Sequence, residues 1–200
     1  MSLLRALYLL VCVLPVSVQA ASLRAVLTDT MGAPLSDAVI FAKPLAANVP
    51  AGKPRGAIID QVNKEFVPLV SVVQAGTAIT FPNKDNIRHH VYSFSAPKVF
   101  DLKLYSGVPA SPVVFDKPGL VVLGCNIHDW MVAYLLVVDT PYFAKSDEKG
   151  GAQIDDVPAG EYEIRAWHPR LQGAFPVQKT KAGESVNLRL PLTAKPAGAR

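Results

Sequence analysis

The sequence predicts an all-β protein. Three observations carry this: seventeen prolines and thirteen glycines cut the 200 residues into short segments, the segments between turn signals are rich in Val, Ile, Thr and Phe, and no stretch combines helix caps with an apolar period of 3.6. Half of the residues are hydrophobic, enough for one large or two small cores. The formal charge is +4, and it drops to +3 once Arg5 is discounted with the leader described below. Basic residues are scattered among acidic ones without an aromatic-interleaved run, which argues against a nucleic-acid partner.

Residues 1–20 read as a secretory signal peptide, with basic Arg5, an apolar run over 7–18 and a small residue at the expected cleavage point in Val18-Gln19-Ala20. The run is too short for a membrane span and contains Pro15. Cys12 lies inside it and leaves with it, so the mature chain carries one cysteine, Cys125.

In chain order, strands are expected at 23–28 and 33–42, with the turn Asp29-Thr30-Met31-Gly32 between them. Residues 44–56 hold Pro44, Pro50, Pro54, Gly52 and Gly56 and read as a loop. Further strands are expected at 58–66, 69–73, 77–81, 89–95, 99–105 and 113–116. Leu120-Val121-Val122-Leu123 is fully apolar and reads as a buried strand delivering Cys125 to one end of a sandwich. Residues 132–138 leave on the other side, so two neighbouring strands hold a tight loop. Tyr92, Phe94 and Tyr105 are expected in the core. The remaining chain alternates as strands at 152–157, 161–167 and 185–190, and 193–200 reads as a tail.

That loop is Gly124-Cys125-Asn126-Ile127-His128-Asp129-Trp130-Met131. Cys125-x2-His128-x2-Met131 offers thiolate, imidazole and thioether, the soft donors that copper prefers and hard-oxygen metals do not. An odd cysteine in an exported protein points to intermolecular pairing or a special thiol, against the plain alternative of an inert buried one. A fourth donor must come from elsewhere, and the other histidines are His89, His90 and His168. Along a strand His89 and His90 face opposite ways, so one of the two reaches the metal. His168, beside Pro169, is read as a surface or hydrogen-bonded residue.

These residues resemble the cupredoxins, the small blue copper proteins. The likeness covers roughly 58–139, through Gly76-x-x-Ile79-x-Phe81-x-Asn83 before the first histidine and the C-x2-H-x2-M loop. The short loop looks most like the amicyanin subgroup. The resemblance implies a Greek-key cupredoxin sandwich, one type-1 copper ion and ligands His89, Cys125, His128 and axial Met131. His89 is preferred to His90 because it lies six residues after Asn83, as the family's first ligand does. The family often places asparagine directly after that histidine, where this chain has His90, so His90 is expected to hydrogen-bond across the loops, face solvent or exchange roles with His89, with Asn83 the other neighbour of the ligands. Ile127 and Trp130 beside His128 form a candidate docking patch, with inward packing as the alternative.

A second resemblance covers the chain's ends. D-x-x-G followed by I-x-x-V-P-A-G-x-Y-x-I over 147–164 is similar to the carboxypeptidase regulatory-like, transthyretin-type β-sandwich. That family's opening segment looks like 28–39 here. The expectation is a smaller, discontinuous sandwich of 22–50 and 140–192, with a cupredoxin domain, 55–139, inserted. In the alternative, the first two strands complete the cupredoxin.

The resemblance implies a periplasmic, monomeric one-electron carrier, not an enzyme, exchanging electrons with a redox protein donor and acceptor. The amicyanin likeness points towards methylamine utilization. Copper delivery with the same ligands is the first alternative, and a metal-free β-sandwich binding module is the second. A copper oxidoreductase would need more histidines than remain.

Overall fold

The computed structural model describes residues 21–46 and 52–193, and no helix occurs among them. The signal-peptide and tail expectations lie outside these residues. No helix among them is long and apolar enough to cross a membrane. The strands, in order, are β1 (Ala21–Asp29), β2 (Val39–Pro44), β3 (Ala57–Ile58), β4 (Asp60–Val62), β5 (Glu65–Val67), β6 (Val70–Gln74), β7 (Thr77–Thr80), β8 (His89–Ser95) and β9 (Lys98–Tyr105). They continue with β10 (Val113–Phe115), β11 (Gly119–Cys125), β12 (His128–Val138), β13 (Phe143–Lys145), β14 (Gly151–Val157), β15 (Glu161–Trp167), β16 (Val177–Lys181) and β17 (Ser185–Leu190).

The middle of the chain builds a five-stranded sheet, β6-β12-β11-β8-β9, against a three-stranded one, β10-β7-β3. Alternate side chains of both close one core, including Ile79, Phe81, Val91, Phe115, Leu123 and Leu135. Phe81 stacks on Phe100 and meets Phe115 edge-on, with centroids 5.7 and 6.4 Å apart. The chain's two ends build the other pair of sheets, β14-β1-β17 and β13-β2-β15-β16. The first two strands pair with these late strands and with none of the middle ones. Ser146 ties the ends further: its hydroxyl donates to Leu35 O at 2.6 Å and accepts from Ala38 N at 3.0 Å.

Strands buried on both faces read as continuous apolar runs, whereas half-buried ones alternate. β1 alternates, with Leu23, Ala25 and Leu27 buried and Arg24 and Val26 exposed. In β2, Val39, Ile40, Phe41 and Ala42 are all buried. Ile40 and Ala42 enter the core of the terminal sheets, while Val39 and Phe41 pack with Val70, Leu136, Val138 and Trp167 in a third cluster that joins the two sandwiches. β12 divides likewise, Leu135 and Val137 turning to one core and Leu136 and Val138 to the other.

Four strand expectations change. Residues 58–66 are not one strand: the chain turns at Asn63 and Lys64, both at positive φ of 55° and 61°, and closes the hairpin β4–β5. Such a two-residue turn twists with its strands, and asparagine tolerates the left-handed conformation it requires. The second strand begins at Val39, since 34–38 makes only the bridge Thr28–Pro34. β13 and β16 are additional: β13 is only three residues long, and β16 is exposed except at Thr180, so neither shows the apolar alternation that would reveal it. The run 120–123 is not wholly buried, because Val122 lies on the outer face at 39% exposure. That face also carries Phe94, 79% exposed, and half-buried Tyr92. Neither sits in the core as expected, since β8 turns only its odd-numbered side chains, His89, Val91 and Ser93, inward.

Candidate metal centre

β11 and β12 form a hairpin whose turn is Asn126-Ile127. Cys125 faces His128, while the next pair is Gly124 with Val132, so Asp129, Trp130 and Met131 have no partner opposite. This irregularity turns Met131 inward, to 1% exposure, and Trp130 outward. Gly124 lies under the Tyr92 ring: a Cβ there would come within 2.8 Å of its Cζ, so a larger residue would have to displace that ring.

β8 begins at His89, which pairs with Tyr105 of β9 and is completely buried. Its Nδ1 lies 3.9 Å from Cys125 Sγ, and Nδ1 of His128 lies 3.8 Å from the same sulfur. The ligand atoms of His89, Cys125 and His128 all fall within 4.8 Å of one another. A metal in a trigonal site, with bonds of about 2.3 Å to sulfur and about 2.0 Å to nitrogen, requires S···N separations of about 3.7 Å. Both S···N separations therefore match those around a small soft ion. Met131 is buried in the same core cluster as Cys125.

His90 points the other way and its Nε2 bonds to Asp101. Asn83 braces the loop before β8, its Nδ2 donating to Ile87 O and Tyr105 O at 2.8 Å and its Oδ1 accepting from Asp85 N at 3.0 Å. Beneath His89, Tyr105 donates to Phe81 O and accepts from Gln61 Nε2, both at 2.6 Å. Burial pushes this phenol up to about 12, against the opposing Gln61 bond. Ile127 and Trp130 are 46% and 67% exposed, and the Trp130 ring lies 5.1 Å from the His128 ring. His168 stands apart, its Nδ1 accepting from Arg170 N.

The chain read as a sequence did not single out Asp85. Its Oδ2 lies 2.7 Å from Nε2 of His89. Backbone N–H groups of Asn63 and Lys64 donate to its two oxygens at 2.6 and 2.8 Å. Burial raises the carboxyl, but the bonds from Lys64, His89 and Asn63 outweigh it and hold the group below its ordinary 3.8. A carboxylate four residues before a candidate ligand histidine was the available signal, because ligating rings usually donate their second N–H to such a group.

Acid should destabilise the metal-free protein. Burial first, then the His89 ring and Lys64, lower the pKa of His128, with Asp85 opposing. Burial and Arg170 lower that of His168. A histidine with a depressed folded pKa binds fewer protons folded than unfolded, so stability falls as pH drops below the unfolded value of about 6.5. Urea titrations of the metal-free protein should show a midpoint that declines from pH 7 to pH 5, less steeply in His168→Gln. A midpoint rising over that interval would contradict both shifts.

No protein-family model and no curated protein matches the sequence. Several solved structures resemble part of it. A copper-containing nitrite reductase from Thermus scotoductus is 25% identical over 48% of this chain, with a TM-score of 0.40, and the chain spans a quarter (25%) of that protein. A purple cupredoxin from Nitrosopumilus maritimus is 23% identical over 41% of this chain and 99% of its own, with a TM-score of 0.36. An amicyanin variant in the reduced Cu(I) form is 15% identical over 48% of this chain and 98% of its own, with a TM-score of 0.38.

Proposed function

We propose that the chain is an exported one-electron carrier holding a single type-1 copper ion through His89, Cys125, His128 and Met131. The observation that carries the reading is the convergence of two imidazole nitrogens on one thiol sulfur at 3.8 and 3.9 Å. Bound there, copper would supply reversible one-electron chemistry. The rigid strands keep the donors in place in both oxidation states, so little rearrangement opposes transfer. Burial of His89, Cys125 and Met131 excludes water from that side. Three strong donors and a thioether leave no open position for a substrate, which separates a carrier from an enzyme.

The redox partners would dock at the exposed Ile127 and Trp130, the latter with its ring beside that of His128. Residues 1–20 are the proposed leader to the periplasm. We also infer that 22–50 and 140–192 form one transthyretin-type module into which 55–139 is inserted. Pairing of β1 and β2 exclusively with late strands supports this.

The test is the visible spectrum and voltammogram of the Cu(II)-loaded protein beside His89→Ala and His90→Ala. The expected result is an intense blue thiolate-to-copper band and a reversible wave, both lost in His89→Ala and retained in His90→Ala. A colourless protein, or one that passes copper rapidly to an acceptor without a reversible wave, would replace the carrier reading with delivery or plain binding.

A further inference from the structure

We propose that Asp85 is the positioning residue that selects which nitrogen of His89 faces the metal and strengthens it as a donor, and that the turn of the β4–β5 hairpin holds Asp85 for that task. This rests on the copper reading above. A neutral imidazole carries one proton on either of two nitrogens, and only the other nitrogen can bind a metal. An ionised carboxylate can only accept, so Asp85 Oδ2 at 2.7 Å draws the proton to Nε2. The Nδ1 lone pair is left pointing towards Cys125 Sγ. The ring is wholly buried, so no solvent competes for either nitrogen.

The carboxylate is itself fixed from three sides. Asn63 and Lys64 give it two backbone N–H groups from a separate hairpin, and both are oriented by the left-handed conformation of that turn. Its own N–H is held by Asn83 Oδ1, and Asn83 is anchored on Ile87 O and Tyr105 O. These bonds hold the carboxylate against the ring. The result is a carboxylate–imidazole pair with more negative charge on Nδ1 than a ring bonded to a carbonyl would have, and that favours the oxidised ion over the reduced one.

Two measurements on Asp85→Asn, with Asp85→Ala as a second variant, decide the matter. In the metal-free protein, two-dimensional ¹H–¹⁵N spectra of the histidine rings should show His89 of the unsubstituted chain protonated at Nε2, with that preference lost in Asp85→Ala. In competition titrations, Cu(II) affinity should fall about 10- to 100-fold in Asp85→Asn. Cu(I) affinity should fall less, and each tenfold difference raises the potential by about 59 mV. A purely structural role for Asp85 would lower both affinities equally and leave the potential unmoved. An unsubstituted His89 protonated at Nδ1, or an unchanged Cu(II)-to-Cu(I) affinity ratio in Asp85→Asn, would overturn the proposal. The ring measurement needs no copper, so failure of the carrier reading is distinguishable from failure of this one.

Discussion

If the proposed copper centre forms, Cys125→Ser should abolish its blue band and lower Cu(II) affinity by on the order of 100-fold or more, whereas Cys125→Ala should leave the fold intact. The first half follows from the donor set. The intense band requires sulfur, and exchanging thiolate for hydroxyl leaves two imidazoles and a thioether, a set that no longer favours a trigonal copper site. Losing a direct ligand should cost more than the 10- to 100-fold typical of losing an outer hydrogen-bond partner. The second half follows from packing. Cys125 is 3% exposed in a core of Val91, Leu123 and Ala133, and alanine fills most of the same space. Serine places a hydroxyl there at about 1–3 kcal/mol if it stays unpaired, so alanine is the control for stability. Retention of colour in Cys125→Ser would remove the thiolate from the site and the carrier reading with it.

The grouping of His89, Cys125 and His128 was legible because thiol and imidazole recur at a short spacing in one loop, because strand alternation lets only one of His89 and His90 face it, and because the cupredoxin resemblance favoured His89. The structure places His89 Nδ1 beside the thiol and His90 on Asp101, across the strand. Asp85 escaped because its role depends on a hairpin more than twenty residues earlier. That hairpin was itself obscured: Asn63-Lys64 is a weaker turn signal than Asn-Gly, and the apolar residues around it continue the pattern of a strand. Phe94 was misplaced for a related reason. Aromatic residues in strands are usually packed, yet β8 covers only one of its faces with core. The apolar runs of β2 and β12 hold the opposite information, since an unbroken run means a neighbour on each side. Which neighbour lies there is long-range and cannot be deduced from the run alone.

Trp167 tests the junction between the two sandwiches. It ends β15, is 4% exposed, and its ring centroid lies 6.0 Å from that of Tyr134 in β12. Around it are Val39 and Phe41 from β2 with Val70, Leu136 and Val138 from the central sheet. Truncation to alanine removes an indole from a packed cluster and should cost about 3–5 kcal/mol. For a body of this size about 2–4 °C is lost per kcal/mol, so the melting temperature should fall roughly 6–20 °C. The blue band should be unchanged below the transition, because Cys125 and Met131 lie in the separate core cluster on the other face of β12. If the sandwiches unfold together, Trp167→Ala shifts one transition, whereas independent modules would give two, with the copper-bearing one nearly unmoved. A melting temperature within a degree or two of the unsubstituted protein would show that this cluster does not couple them. The second sandwich would then be a passenger on the one that carries Cys125 instead of a clamp on the back of its sheet.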